Sequence, residues 1–297
     1  MRRTEQGFLL LTSHLGDPNS KPLTITQFSK LCTLVLAADK PEEDQDRQLS
    51  AEDLIALGYG REMALRIVEL LSRQELLEYY VNRAARTGCY PITRINRLYP
   101  NSCRNKLGLD SPGCLWAKGD ITLLNQPAIA LVGSRNLRQE NAAFAKEVGR
   151  QAALQGYVLI SGNARGADKQ AQESCLAAGG QVISIVADSL ENCVDTSGVL
   201  YLSEDGFDLP FSTIRALSRN RLIHSMGQLT LVAQLQLGTG GSWSGSVQNL
   251  RNGWTPIACF QDGSEASNQL VQMGANAVDI YDLQDLESLS KEMISLF

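Results

Sequence analysis

The sequence is poor in the side chains that catalytic and metal sites use most often. It has two histidines, His14 and His224, and seven cysteines. No two cysteines lie within three residues of each other, whereas zinc ribbons and fingers need close pairs, so we expect neither a metal site nor a disulfide framework. The chain also has no His-Glu-x-x-His pair and no Gly-x-Ser-x-Gly elbow. We therefore predict that the protein is not an enzyme.

Long apolar runs and an excess of positive charge are missing as well. No run reaches the roughly 18 residues of a membrane span, and the apolar stretch at 9–12 is too short for a signal peptide. We expect a cytoplasmic protein without a membrane partner. The net charge is −5. Residues 1–116 contain 15 basic and 14 acidic residues, and residues 117–297 contain 12 basic and 18 acidic residues. Any nucleic-acid binding must therefore come from a local basic patch.

The first 88 residues are typical of a helical domain. Apolar residues recur at helical spacing at 28–36 and 64–71, and Ser50 with Asp53 three positions later matches a capping box. We predict a helical N-terminal domain over 1–88, of the sterile-alpha-motif or helical-hairpin type, with either a packing or an interaction role. The turn-rich residues 89–127 are predicted to be a connector that packs on the following domain.

From residue 128 onward, short apolar runs alternate with helical patterns. The predicted strands are 128–132, 157–160, 181–186, 200–203, 229–233 and 256–260, and the predicted helices are 140–154, 167–178, 212–226 and 242–252. This alternation indicates βαβ units and a parallel sheet with right-handed crossovers. We predict an α/β fold, with a doubly wound Rossmann-like parallel sheet in 128–297 and the small helical domain before it.

Four segments expected at one rim of this sheet carry residue types that bind anions. Ligands of doubly wound sheets sit beyond the carboxyl ends of the strands. Glycines let backbone amides approach an anion, helix N-termini offer unpaired donors, and arginines add bidentate contacts to phosphate. The candidate nucleic-acid or phosphate-binding residues are Gly133, Ser134, Arg135, Ser161, Gly162, Arg165, Gly166, Asp168, Lys169, Arg219, Asn220, Arg221, Gly241 and Ser242.

Each candidate also fits an ordinary structural role. Gly162 suits a tight strand-to-helix turn, and Asp168 favours the N-terminus of its own helix. Arg219 and Arg221 suit a solvated helix face paired with Glu204 or Asp205. The convergence of four segments on one rim favours anion binding. The Gly-Ser-Arg turn is neither a Walker A loop nor a full dinucleotide fingerprint, so we predict no cofactor.

These segments resemble the DNA processing protein A (DprA/Smf) family. The landmarks occur in family order: Tyr-Pro at 99–100, Ser-Pro-Gly-Cys-Leu at 111–115, Val-Gly-Ser-Arg at 132–135, Ser-Gly-Asn-Ala-Arg-Gly-Ala-Asp at 161–168 and Ser-Arg-Asn-Arg-Leu-Ile at 218–223. The resemblance implies an extended Rossmann fold that binds single-stranded DNA and dimerises. It further implies protection of incoming strands in natural transformation and help in loading a RecA-type recombinase.

The chain departs from the family pattern in three places. Gln172 stands where the family usually has histidine, and the family's Ser-Gly-Ser-Leu stretch is matched only loosely at 241–247. Many members also carry a C-terminal winged-helix module, for which this sequence leaves no room after the predicted sheet. General recombination and mobile-element defence therefore stay open beside natural transformation.

Two hypotheses follow for function. In the first, single-stranded DNA lies across the rim with its phosphates on exposed Arg135, Arg165, Lys169, Arg219 and Arg221, giving a slope of log K against log salt of roughly −3. Trp243 or Tyr201 is the candidate for base stacking in that arrangement.

The second hypothesis is a nucleotide-binding sensor or a nucleotide-processing enzyme on the same superfold. Phosphoribohydrolases that resemble the Lonely Guy proteins use a Pro-Gly-Gly-x-Gly-Thr-x-x-Glu stretch with a catalytic glutamate. The nearest segment here, 239–246, contains no acidic residue. This absence disfavours hydrolysis but leaves nucleotide binding open.

Overall fold

Nine strands of the described chain pair into one sheet. The computed structural model describes residues 1–38 and 49–291. The strands are β1 (Cys89–Thr93), β2 (Cys114–Lys118), β3 (Ala128–Val132), β4 (Val158–Ser161), β5 (Val182–Ile185), β6 (Val199–Glu204), β7 (Thr230–Val232), β8 (Ile257–Phe260) and β9 (Asn276–Val278). Their order is β1-β2-β6-β5-β4-β3-β7-β8-β9. Neighbours from β6 to β9 are parallel, whereas β2 is antiparallel to both β1 and β6. The predicted fold class is confirmed.

Helices precede the sheet and cover both of its faces. They are α1 (Arg3–Thr12), α2 (Ile25–Ala37), α3 (Ala51–Ala56), α4 (Arg61–Leu71), α5 (Gln74–Arg86), α6 (Asn101–Leu107), α7 (Gln139–Leu154), α8 (Ala167–Ala177), α9 (Thr213–Ser218), α10 (Asn220–Met226), α11 (Gly240–Asn252), α12 (Glu265–Gln272) and α13 (Leu286–Lys291). The capping box predicted at the start of α3 is present: Ser50 N–H donates to the Asp53 carboxylate at 2.8 Å, and Asp53 N–H donates to Ser50 Oγ at 3.2 Å.

Strand β3 shows why the sheet is apolar on both faces. All five of its residues are buried, as expected for a parallel strand covered by helices on either side. Ile129 and Leu131 pack into the core layer that contains residues of α7 and α8, while Ala130 and Val132 pack into the layer that contains residues of α10. The alternation follows from the two-residue period of a strand.

The segment predicted to be a connector, 89–127, supplies two strands of the sheet. β1 forms one edge, where Pro91 is tolerated because an edge strand needs fewer ladder hydrogen bonds. In β2 the side chain of Trp116 is fully buried. The turn signals on both sides of these five-residue strands concealed them in the sequence. The domain boundaries at 88 and 127 stay a prediction.

The single helix predicted over 212–226 is wrong in one respect. The structure has two helices, α9 and α10, that meet at Arg219. There Leu222 N–H donates to the Arg219 carbonyl at 3.0 Å, an i to i+3 bond that tightens the turn. The break places Arg219 at the junction of two short helices rather than on a continuous helix face.

The strand order reverses at β3. β4 lies on one side of β3 and β7 on the other, although β7 comes much later in the chain. Open α/β sheets bind ligands in the crevice outside the carboxyl ends of the strands at such a reversal. The loops after β3, β4 and β7 border this crevice.

Candidate functional site

Hydrogen bonds join the loops after β3, β4 and β7. The Ser134 carbonyl accepts from Ala167 N–H at 3.1 Å, which ties the β3 loop to the start of α8. The Gly133 carbonyl accepts from Ser242 Oγ at 2.8 Å, which ties the same loop to the start of α11. The structure thus brings the predicted segments to one rim.

Helix α10 joins this cluster through one side chain. Asn220 Nδ2 donates to the carbonyl oxygen of Gly241 at 3.0 Å. The bond holds the N-terminal turn of α10 against that of α11, so hydrogen bonds connect all four predicted segments in one series.

Two adjoining cavities of about 460 and 780 Å³ open at the rim. Arg135, Phe211 and Arg219 line both of them. The predicted residues in one or both linings are Gly133, Ser134, Arg135, Gly162, Arg165, Asp168, Arg219, Asn220, Gly241 and Ser242. The predicted residues outside these two linings are Ser161, Gly166, Lys169 and Arg221.

Two glycines make the close approach of these loops possible. Gly166 has φ +90°, and a Cβ there would overlap the carbonyl oxygens of Ser134 and Arg135. A Cβ at Gly162 would overlap the guanidinium of Arg219. Gly166 therefore lets α8 begin directly against the β3 loop, and Gly162 makes room for the arginine.

The side chain of Asp168 holds the loop after β4 through hydrogen bonds to its backbone. It is buried, and its Oδ2 accepts from the amides of Gly162 and Ala164, each at 3.1 Å. Burial raises the pKa of Asp168 above its usual range, while the charge of Arg219 and the two amides oppose that rise. The side chain therefore shapes the loop and places a negative charge beneath the rim.

Arg219 is buried, with 7% of its surface exposed, and the expectation of an exposed arginine was wrong. Burial lowers its pKa from the ordinary arginine value, and the charge of Asp168 opposes that change. Within residues 1–38 and 49–291 its Nε has no hydrogen-bond partner. Burying a cation with unused donors is costly unless an anion compensates it. The position of Arg219 between the two cavities therefore suits an anionic ligand.

Three other cations of the rim are exposed. Arg135 lies 6.0 Å from the centre of the Phe211 ring, and Arg165 donates to Asn136 Oδ1 at 3.2 Å. Lys169 is further along α8, where its Nζ is 3.8 Å from a Glu173 oxygen. These three side chains remain accessible to a ligand that approaches from solvent.

Arg221 is held within the protein. Its guanidinium nitrogens lie 2.7 and 3.1 Å from the two carboxylate oxygens of Glu204, and Nη1 also donates to the Ser218 carbonyl at 2.7 Å. Glu204 is buried. The ion pair between Arg221 and Glu204 is the structural role that the sequence allowed for Arg221 as an alternative to phosphate binding.

Sequence reasoning missed Phe211. Its ring is 49% exposed and lines both cavities. Trp243, one of the two aromatics proposed for stacking, is half-buried against the core, and Tyr201, the other, lines the larger cavity. The sequence feature that could have indicated Phe211 is its place as a large aromatic residue in the Pro-Phe-Ser-Thr stretch at the start of a short helix.

The Gln172 substitution has a structural explanation. Gln172 is buried, and its Nε2 donates to Ser161 Oγ at 2.6 Å and lies 3.4 Å from Ser184 Oγ. The side chain links β4 to β5 below the rim and lies outside both cavity linings. It therefore supports the strand that leads into the loop rather than contacting a ligand there.

No group of three or more His, Cys, Asp or Glu side chains in residues 1–38 and 49–291 is placed to hold a metal ion. Across the same ranges, none of the helices combines the length and apolarity needed to cross a bilayer.

The fold and the rim together define a class: a Rossmann-like α/β protein with a cationic cleft at the point where the strand order reverses. The sequence model of DNA recombination-mediator protein A matches residues 91–289, which is more than half of the chain. The chain belongs to the DNA recombination-mediator protein A family, so the resemblance inferred from the motifs is confirmed.

Curated relatives are about a quarter identical to this chain over the stretch that matches. DNA processing protein DprA of Bacillus subtilis (strain 168) is 26% identical over 188 residues, covering 57% of this chain and 62% of the relative. DprA of Streptococcus pneumoniae (strain ATCC BAA-255 / R6) is 28% identical over 186 residues, covering 57% of this chain and 64% of the relative. The match therefore spans less than two thirds of each relative's own length.

Two solved structures are similar in fold. The X-ray structure of DprA from Streptococcus pneumoniae has a TM-score of 0.66 and 22% identity, covering 89% of this chain and 98% of that one. A structure of DNA processing protein A from Helicobacter pylori, described for its unique single-stranded DNA binding mode, has a TM-score of 0.57 and 24% identity, covering 70% and 97%.

Proposed function

We propose that this protein binds single-stranded DNA across the strand-end rim and catalyses no reaction on it. The observation that carries the proposal is Arg219, a buried cation between two cavities whose Nε is unpartnered in the described residues. A phosphate in either cavity would lie against the residue that lines both, and would compensate its buried charge. Family membership supports a DNA ligand.

The strand would pass from one cavity to the other above Arg219. Arg135 and Arg165 stand at the mouths of the cavities and would contact neighbouring phosphates. Phe211 offers an exposed ring between the cavities for stacking with a base, a contact of about 1–3 kcal/mol that tolerates any sequence. Phosphate contacts position a strand without reading it, so binding should vary little with base sequence.

The biological role we propose is protection of single strands and help in loading a RecA-type recombinase, during natural transformation or recombination in the cytoplasm.

We also propose a homodimer. Two modest cationic clefts on one strand would raise avidity without new contacts, which suits a protein with a net charge of −5. Light scattering at micromolar concentration checks this, and a monomeric mass with and without DNA would contradict it.

A nucleotide sensor is the second candidate, because the smaller cavity, about 460 Å³, lies in the size range of small-molecule sites. Arg219 would then bind the phosphate of a free nucleotide. We expect no turnover in either case. Release of base from nucleoside monophosphates, or ATP hydrolysis, that disappears in Asp168→Asn would contradict the absence of catalysis.

The decisive experiment is a titration with labelled single-stranded DNA, duplex DNA and a free mononucleotide. We expect the single strand to bind best, and Arg219→Met, which keeps the side-chain volume, to weaken it roughly 10-fold or more because a charged hydrogen bond is lost. Stronger binding of the mononucleotide would favour the sensor. Equal affinity of wild type and Arg219→Met for the single strand would remove the main support for the proposed site.

A further inference from the structure

Phe211 lies at the end of a loop, residues 205–212, that several other parts of the protein hold in place. Phe211 N–H donates to Asp188 Oδ1 at 3.1 Å, so the loop after β5 fixes one end. Arg215 of α9 donates to the carbonyls of Leu209 and Pro210 at 2.8 and 2.9 Å. The loop is therefore held on one side by the segment after β5 and on the other by α9.

The strongest side-chain bonds to this loop come from α5, far away in sequence. Tyr80 Oη donates to Asp208 Oδ1 at 2.6 Å, and Arg83 Nη1 donates to Asp208 Oδ2 at 2.9 Å. Arg83 also approaches Glu191 at 3.5 Å. One carboxylate of the loop thus receives two donors from two successive turns of one helix.

Aromatic packing joins the same two elements. Phe207 is fully buried, with its ring centre 4.9 Å from that of Tyr80 and 5.3 Å from that of Trp116. The guanidinium carbon of Arg83 lies 5.1 Å from the Phe207 ring centre. The backbone carbonyl of Phe207 accepts from the amide of Leu190 at 2.7 Å. The start of the loop is therefore fixed against α5 and the sheet.

We propose that Tyr80 and Arg83 are positioning residues: by holding Asp208, they fix the loop that presents Phe211 to both cavities. This gives the helical N-terminal part of the chain a role in ligand binding without contact with the ligand. The inference rests on the proposed single-stranded DNA binding. It follows that loosening α5 lowers affinity by reducing the fraction of molecules whose loop is in the binding position.

The test compares Tyr80→Phe/Arg83→Gln with the wild-type full-length chain. Hydrogen exchange of peptides covering 205–212 reports the loop, and titration with labelled single-stranded DNA reports binding. We expect faster exchange, an affinity loss of roughly 5-fold or more, and an unchanged salt slope because no phosphate contact is removed. Tyr80→Phe alone, which retains the ring packing, should show smaller changes in the same direction, and it decides the outcome if the double variant does not fold.

Arg66→Gln is the matched control. Arg66 donates to the carbonyls of Lys21 and Pro22 at 2.6 and 2.7 Å from α4, a different helix of the N-terminal part of the chain. We expect it to lower the melting temperature without changing exchange of the loop or affinity. Affinity equal to wild type in both Tyr80 variants would overturn this inference and leave the proposed function intact. A wild-type protein that does not bind the single strand would overturn both.

Discussion

Arg219 and Arg221 stand two positions apart and have opposite surroundings. Arg219 lies between two cavities with an unpartnered Nε in the described residues, whereas Arg221 is bound at both ends of its guanidinium to Glu204. The tighter turn at Arg219 separates the two side chains. We infer that the first serves a ligand and the second serves the fold.

Replacing Arg221 tests this division. In Arg221→Met the carboxylate of Glu204, which is 4% exposed, would remain buried without its partner. We expect the free energy of unfolding to fall by roughly 3 kcal/mol, with the salt dependence of DNA binding unchanged. Urea unfolding of Arg221→Met, Glu204→Gln and the double variant gives the coupling energy. Additive effects would show that Arg221 and Glu204 are not coupled, and a flatter salt slope in Arg221→Met would show that Arg221 contacts the ligand.

His224 leads to a prediction about pH. It is fully buried, with Nδ1 3.2 Å from Asn249 Nδ2, and burial lowers its pKa from 6.5 to about 3. Between pH 6.5 and about 3, His224 is protonated in the unfolded chain and stays neutral in the folded protein. The free energy of unfolding therefore falls as the pH drops below 6.5. Each pH unit in that window lowers the free energy of unfolding by about 1.4 kcal/mol.

The measurement is urea unfolding of wild type, His224→Gln and His14→Gln between pH 7 and 5, above the range where most carboxylates titrate. His14 is exposed and serves as the control. We expect the loss of stability on acidification to become smaller in His224→Gln and to persist in His14→Gln. An identical pH dependence in all three proteins would show that His224 can be protonated in the folded state.

At the scale of elements, the turn from β4 into α8 is the part of the rim with the least freedom. Gly166 combines a positive φ with close contact to the backbone of Ser134 and Arg135. Any larger residue there would therefore have both an unfavourable backbone conformation and an overlap of its Cβ with that backbone. Gly179 has a similar φ of +79°, but a Cβ added there would have no atom within 4 Å. Gly166 also has ψ −125°, a backbone conformation open mainly to glycine, so Gly179 is a control for a positive φ without overlap.

We expect Gly179→Ala to cost about 1–2 kcal/mol, the conformational penalty alone. Gly166→Ala should cost more, because the β3 loop must also move, and it should weaken DNA binding while Gly179→Ala does not. Chemical denaturation and the titration described above give both quantities. Equal costs for the two variants would mean that the β3 loop yields freely and is not fixed by α8.

The sequence predicted six of the seven parallel strands in the described residues, and helices α7, α8 and α11, to within about two residues, since apolar runs and helical periodicity report burial directly. It did not predict β9 or α12. β1 and β2 were missed because β1 pairs with β2, and β2 pairs with β6 through a long-range contact that turn signals cannot reveal. Burial of Arg219 was missed for the same reason: it depends on Gly162, 57 positions earlier in the chain, leaving room for a guanidinium. Phe211 was missed because only the tertiary fold places it beside two cavities.

At the scale of the whole molecule, the protein is acidic, with a net charge of −5, yet it places exposed Arg135, Arg165 and Lys169 and buried Arg219 along one rim. Such an arrangement must bind a polyanion through local contacts, because the overall field repels it. With Arg221 held by Glu204, Arg219 and the three exposed cations remain to neutralise phosphates. The expected slope of log K against log salt is therefore roughly −3 for a single strand.

The measurement that tests the central claim most directly is this salt slope in wild type, Arg135→Ala, Arg165→Ala and Arg251→Ala. Arg251 is exposed near the far end of α11, about 16 Å along the helix from the rim, and is the control. We predict that each rim variant flattens the slope by about 0.7 with its melting temperature nearly unchanged, while Arg251→Ala keeps the wild-type slope. A wild-type slope in both rim variants would contradict binding of single-stranded DNA at the strand-end rim.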